Sequence, residues 1–229
     1  MASALIYAKT VKPVLDLVVA AALLVVLCIP MTLIALIVRF TSPGPALFRQ
    51  TRVGRNGVPF KIYKFRTMRV GTPHARRLTD PDAYITPIGH VLRRTSLDEL
   101  PQLINILRGE MSIVGPRPVL YTETATIADR KANGASRLRP GVTGWAQVNG
   151  RDLISETRRA QFDGEYFQTI GWHRDLQCLA MTLATVLSGE GNDDHHQPDG
   201  DPQHCSPSSG RPPAAQSGTS SLCVPPDVR

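Results

Sequence analysis

No CxxC pair occurs in this chain, and its four cysteines, Cys28, Cys178, Cys205 and Cys223, stand far apart. His195, His196 and His204 do not fall at zinc-ligand spacing around them, which argues against a structural zinc site or a dithiol redox centre. Cys28 and Cys178 lie in apolar runs and the other two in a polar tail. Buried thiols and tail thiols are therefore expected, with no demand for an oxidising compartment. Internal repeats are also absent, so a solenoid or propeller is not the architecture. Acidic residues are scarce: the chain has 26 Lys and Arg against 19 Asp and Glu, a net charge of +7 over 229 residues. Six of those acids follow residue 188, so residues 1–188 hold 24 bases and 13 acids. One domain with an appendage suits this length. A domain so basic expects an anionic partner: nucleic acid, anionic lipid or a phosphorylated substrate.

Charge is missing altogether from residues 17–38, "LVVAAALLVVLCIPMTLIALIV". At about 1.5 Å per residue, a helix of that length crosses a bilayer core. The run is too long for the apolar part of a signal peptide, and no small-residue cleavage site ends it. A buried core helix would keep a polar stripe, which this segment lacks. Pro30 removes one backbone donor and crowds the preceding turn, so a kink or break is expected there. Lys9 and Lys12 precede the run, and Arg39, Arg49, Arg52 and Arg55 follow it. Basic flanks prefer the cytoplasmic side. A straight span would send one cluster across; a helix–break–helix hairpin that dips in and returns keeps both inside. The re-entrant form is expected.

The segment 189–229 is rich in Pro, Gly, Ser and Asp and nearly free of aliphatic residues. It cannot bury enough surface to offset its ordering entropy and is expected to be disordered. The expected division is a membrane hairpin over 1–40, a domain outside the membrane over 41–188 and the tail over 189–229. Between the ends, Ser42-Pro43-Gly44-Pro45 reads as a stop and turn. Asn56-Gly57 between two β-prone runs reads as a hairpin, with strands near 46–52 and 58–67. The second strand would put Phe60, Ile62, Lys64 and Arg66 on one face, a cationic stripe carried by a fixed element. Leu97, Leu100, Leu103, Ile104 and Leu107 recur at helical spacing, and Gly109 is a plausible stop. "MSIVGPRPV" is a short apolar run that ends in a stiff Pro-Arg-Pro turn, and "RPGVTGWAQVNGR" reads as loop and short strand. The last apolar stretch, 175–187, reads as a core or interfacial helix with Trp172 and His173 at its boundary.

The stretch "RRTSLDELPQL" sets Asp98 beside Glu99, just after Arg93 and Arg94. Its plain structural explanation is a capping box, with Ser96 capping a helix and Glu99 reaching back to the Ser96 amide. Its chemical explanation is a metal and phosphate site. Adjacent carboxylates repel, so ionising both calls for a nearby cation, and Mg²⁺ binds one or two carboxylates plus phosphate oxygens. Arg93, Arg94 and Arg117 could clamp phosphate bidentately. A carboxylate can also attack phosphorus to give an acyl phosphate. A membrane-tethered module that only binds anionic lipid or nucleic acid would share the charge, but has no reason to place an acid pair among its arginines.

Four stretches resemble the bacterial sugar transferases known as monotopic phosphoglycosyl transferases. They are "SPGPALFRQTRVGRNGVPFKIYKFRTM", "LRRTSLDELPQLINILRGEMSIVGPRP", "RPGVTGWAQVNGR" and the proline-containing apolar segment, and the resemblance covers roughly residues 7–187. It implies a mixed α/β fold: an N-terminal re-entrant membrane helix hairpin and a small cytoplasmic catalytic domain of helices and a β-hairpin. It implies a monotopic protein on the cytoplasmic face of the bacterial inner membrane. The implied reaction moves a phosphosugar from a UDP-sugar donor to a polyprenyl (undecaprenyl) phosphate acceptor with Mg²⁺, releasing UMP, as the first membrane step of exopolysaccharide or glycoconjugate assembly. Inner-membrane lipid is an implied partner and nucleic acid is not. By the resemblance Asp98 is the nucleophile, and Glu99 helps place Mg²⁺ or handle a proton. Arg93 and Arg117 bind phosphate, and Arg66 and Arg151 are further substrate-contact candidates.

Overall fold

A computed structural model describes residues 6–72, 82–150 and 154–188. The tail from 189 onward, whose disorder was expected, lies outside the described residues, as does Arg151. A π-helical turn, Tyr7–Val11, runs directly into helix α1, Lys12–Thr41. Pro13 falls in its first turn, where no intrahelical donor is needed. Ala, Leu and Val then carry the helix for 30 residues. Pro30 lies inside α1 and does not divide it into two helices. Losing one backbone hydrogen bond is tolerated in a helix whose inner face is packed on both sides of the proline. One turn on, the Thr32 hydroxyl donates to the Cys28 carbonyl at 2.7 Å, a side-chain bond of the kind that bends helices.

The helix ends at Ser42, and Gly44 adopts φ 108°, where a side chain would be strained. A Cβ there would also lie 2.3 Å from the Arg66 guanidinium. The hairpin follows: β1, Leu47–Val53, pairs antiparallel with β2, Pro59–Phe65. Asn56 and Gly57 both take positive φ in the connection, as the Asn-Gly signal predicts. Then come α2, Pro87–Arg94, a 3₁₀ turn, Leu97–Glu99, and α3, Gln102–Leu107. A second sheet joins two short parallel strands, β3, Ser112–Val114, and β4, Gly141–Thr143, with α4, Thr124–Asn133, between them in the chain. Three more helices close the domain: α5, Trp145–Val148, α6, Glu156–Thr169, and α7, Trp172–Ser188.

One stripe of the N-terminal segment supplies all three hydrophobic clusters. Ala20, Leu24 and Leu27 pack with Phe60, Ile62, Leu103, Ile106 and Met111. Val38, Met31 and Ile34 pack with Phe65, Leu92 and Leu100. Tyr7 and Ala8 pack against Val114, Tyr166, Ile170 and Cys178. The opposite side of α1 stays bare, with Val18, Val25, Val26, Ile29, Leu33 and Phe40 exposed. Such a broad apolar face on an otherwise basic protein fits contact with lipid. Cys28 is exposed on α1, not buried as expected. Cys178 is fully buried, and burial, aided by Asp175, pushes its thiol up to about 11.

Polar groups fix both ends of α1 to the domain. At its start, the Lys12 ammonium donates to Asp175 at 2.6 Å, and Asp175 also accepts from the Tyr7 and Tyr166 hydroxyls. Asp16 accepts from the Ser112 hydroxyl at 2.6 Å and the Ile113 amide at 3.2 Å. Lys12, Asp16 and Asp175 are all buried, so each charge depends on these partners. At its other end, Arg66 donates to the Ser42 carbonyl and hydroxyl at 2.8 and 2.7 Å, to the Pro43 carbonyl at 2.7 Å and to Val38 at 3.3 Å. A guanidinium there satisfies the last carbonyls and complements the helix dipole.

Candidate active site

Alternation along β2 builds the first part of the site. Phe60 and Ile62 point into the core, and Lys64, two residues on, reaches Glu99 with Nζ to Oε1 at 2.5 Å. Arg66, next in the alternation, lies past the strand and turns to the end of α1 instead. Cross-strand pairing brings more polar groups to the Lys64 face: Arg52 stands opposite Phe60 and Gln50 opposite Ile62. Arg52 donates to Gln50 at 2.7 Å.

The acid pair sits on the 3₁₀ turn, not on a regular helix. Ser96 takes φ 56°, ψ 17°, and its side chain caps nothing. The expected capping box is therefore not formed, because an N-cap needs extended backbone and Ser96 is left-handed. Glu99 bonds to Lys64 rather than folding back to Ser96. Pro101 then separates this turn from α3, and the helix expected over the leucine repeat begins only at Gln102. The result presents two neighbouring carboxylates in different surroundings.

Asp98 is 8% exposed. Burial raises its carboxyl above the usual range, Glu99 adds to the rise, and Lys64 and Arg93 only partly offset it. Burial pushes on Glu99 too, but there Lys64 and Arg117, with hydrogen bonds from Lys64 and Gln102, outweigh it and hold the carboxyl below the usual range. Two adjacent acids are thus driven in opposite directions, which is how a fold assigns different roles to like groups. Arg93 is oriented by Nε donating to the Thr67 hydroxyl at 3.1 Å.

Beside the turn runs a narrow polar cleft lined by Arg52, Lys64, Glu99, Gln102, Arg117 and Gln147, with Gly141 and Val142 from β4 in its wall. Glu99 lines it and Asp98 does not. Three cations against one carboxylate make the cleft an anion site. Burial, with Arg117 nearby, lowers the Arg52 guanidinium to about 10. Arg52 Nε and Gln147 Oε1 are buried and have no hydrogen-bond partner among the described residues. The Gln147 amide donates to Val142 at 3.0 Å, which fixes its orphan atom as an acceptor. Buried groups left this way are characteristic of a site that meets a polar ligand.

Of the residues singled out from sequence, Glu99 and Arg117 meet at the cleft, while Asp98 and Arg93 interact beside it. Arg52, Gln102 and Gln147 were not anticipated; the hairpin register alone could have found Arg52. No cluster of three or more His, Cys, Asp or Glu suited to a metal occurs among the described residues. Two adjacent carboxylates nevertheless fit Mg²⁺, which needs only one or two and completes its shell with phosphate and water.

Comparison with known proteins gives the family. The family model described as bacterial sugar transferase matches residues 7–189. The chain is 46% identical over 187 residues to a UDP-glucose:undecaprenyl-phosphate glucose-1-phosphate transferase of Caulobacter vibrioides, covering 77% of this chain and 70% of that one. It is 40% identical over 184 residues to the Escherichia coli protein of the same name, covering 76% of this chain but only 40% of the longer relative. An exopolysaccharide production protein of Rhizobium meliloti is 39% identical over 177 residues, with 70% of this chain and 78% of that one covered. The chain belongs to the bacterial sugar transferase family.

Proposed function

We propose that this protein transfers a phosphosugar from a UDP-sugar to polyprenyl phosphate, releasing UMP, as a membrane step of exopolysaccharide or glycoconjugate assembly. The observation that carries the reading is the Asp98–Glu99 pair, split by its surroundings and bordered by Lys64, Arg93 and Arg117. The relatives' names supply the donor and acceptor classes. In the first half-reaction an ionised Asp98 oxygen attacks the sugar-linked phosphorus. The bond from that phosphorus to the bridging oxygen breaks, and UMP leaves with that oxygen. In the second, an oxygen of polyprenyl phosphate attacks the same phosphorus and frees the carboxylate. Arg93 and Arg117 hold the phosphate oxygens, and Lys64 keeps Glu99 ionised and in place. Mg²⁺ held by Asp98 and Glu99 would neutralise charge building on the diphosphate. Phosphoryl transfer asks mainly for such positioning and charge compensation.

The test is a panel of UDP-glucose, UDP-galactose and UDP-N-acetylglucosamine with polyprenyl phosphate, scored by UMP. One donor should give UMP and leave radiolabelled phosphosugar on the polypeptide when acceptor is withheld. Label mapped to any residue but Asp98 would remove the nucleophile assignment.

The same reading places the protein on the cytoplasmic face of the inner membrane. Supporting it, both ends of α1 are fastened to one domain, at Lys12 and Asp16 and again at Val38 and Ser42. A helix so held keeps both of its ends on the domain's side of the membrane, with its bare face against acyl chains. Cysteine probes replacing Lys9 and Arg55 should then label from the same side of sealed vesicles. Labelling from opposite sides would make α1 a true span.

A further inference from the structure

The Pro116-Arg117-Pro118 turn can be fixed only through its carbonyls and the Arg117 amide, because neither proline carries an N–H. Four successive carbonyls are taken, each by a different group. Pro116 accepts from the Gly141 amide at 2.9 Å and Val119 from the Val53 amide at 2.9 Å. Between them, Arg117 accepts from Arg130 Nη1 at 2.9 Å, and Pro118 from Arg52 Nη1 at 3.2 Å. Arg130 is itself locked from behind: its Nε and Nη2 meet one Asp163 oxygen at 2.8 and 2.6 Å, and both residues are buried.

We propose that Arg130, backed by Asp163, is a positioning residue that holds the Arg117 backbone so that its guanidinium is fixed in the cleft before substrate arrives. Arg130 does not line the cleft. Its fork joins a buried carboxylate on α6 to the carbonyl of the phosphate-binding arginine, and only a planar guanidinium serves both at once. The role is preorganisation: an arginine already in place gains nothing further in ordering cost at the transition state. This inference rests on the phosphate-binding reading of Arg117.

The experiment is a double-substitution cycle on the full chain in lipid nanodiscs, read as kcat and KM for UMP release. Arg130→Lys keeps the charge paired with Asp163 but loses the fork. It should lower kcat by about tenfold while KM for the donor moves less than about threefold. In an Arg117→Lys background the same change should alter kcat/KM by less than about twofold, because the residue it acts through is already impaired. Independent, multiplicative losses would overturn the proposal, as would full activity in folded Arg130→Lys. Near-normal activity of Arg117→Lys and Arg117→Ala would instead overturn the phosphate-binding reading itself. If Arg130→Lys does not fold, Asp163→Asn, which loosens Arg130 from behind and does not line the cleft, supplies the same cycle.

Discussion

Replacing Asp98 by Asn abolishes UMP release and raises the melting temperature at neutral pH. The first effect follows from losing the nucleophile, with an expected fall of at least about 10⁴-fold in kcat. The second follows from the electrostatics of the turn. Burial and Glu99 disfavour the ionised Asp98 more than Lys64 and Arg93 favour it. A neutral amide of the same shape is relieved of that conflict, and a gain of roughly 2–4 °C is expected. The sign can be checked by pH. Unfolded Asp98 takes its proton in the ordinary carboxylate range, and the folded protein takes it at a higher pH. As pH rises from the first value through the second, the native state loses its proton-binding advantage and wild-type stability declines. The gap between the two proteins should therefore be widest near neutrality and close toward acid. Calorimetry at several pH values reads this directly; a less stable Asn variant at neutral pH would show that Lys64 and Arg93 dominate the turn.

Asp175→Ala should be the most damaging change outside the active site. It removes the acceptor of three groups and leaves the Lys12 ammonium, among the described residues, with Asp16 at 3.9 Å. Breaking a buried pair by removing one partner costs about 3–5 kcal/mol. For a domain of this size that corresponds to a drop of roughly 10 °C. The start of α1 should also become loose, seen as faster hydrogen exchange around Tyr7–Val11 and α7 than at the β1–β2 hairpin. Asp175→Asn keeps one acceptor oxygen, enough for one of the two tyrosine hydroxyls, and should lose less than Asp175→Ala. Equal stability of the Ala variant and wild type would mean that the network does not fasten the helix.

Local signals carried much of this protein. The β-hairpin was placed within two residues at each end, because Asn-Gly between alternating runs constrains backbone and register together. The acid pair and the stiff Arg117 turn stood out because residue chemistry alone marks them. The capping box failed for a local reason as well: the pattern Ser-x-x-Glu is silent about whether Ser96 is extended or left-handed. What the sequence hid is what long separation builds. Lys12 and Asp175 are 163 residues apart, and Asp16 and Ser112 are 96 apart. A lysine and an aspartate at the edge of an apolar run look like solvated flanks until the fold brings their partners. Arg130 was equally unremarkable, one base among many, until Asp163 and the Arg117 carbonyl met it from two sides.

The N-terminal turn and the apolar helix together contribute side chains to all three hydrophobic clusters among the described residues. The helix is thus no detachable tether. A ribosome releasing residues 41–188 without it would deliver a body whose interior lacks one wall.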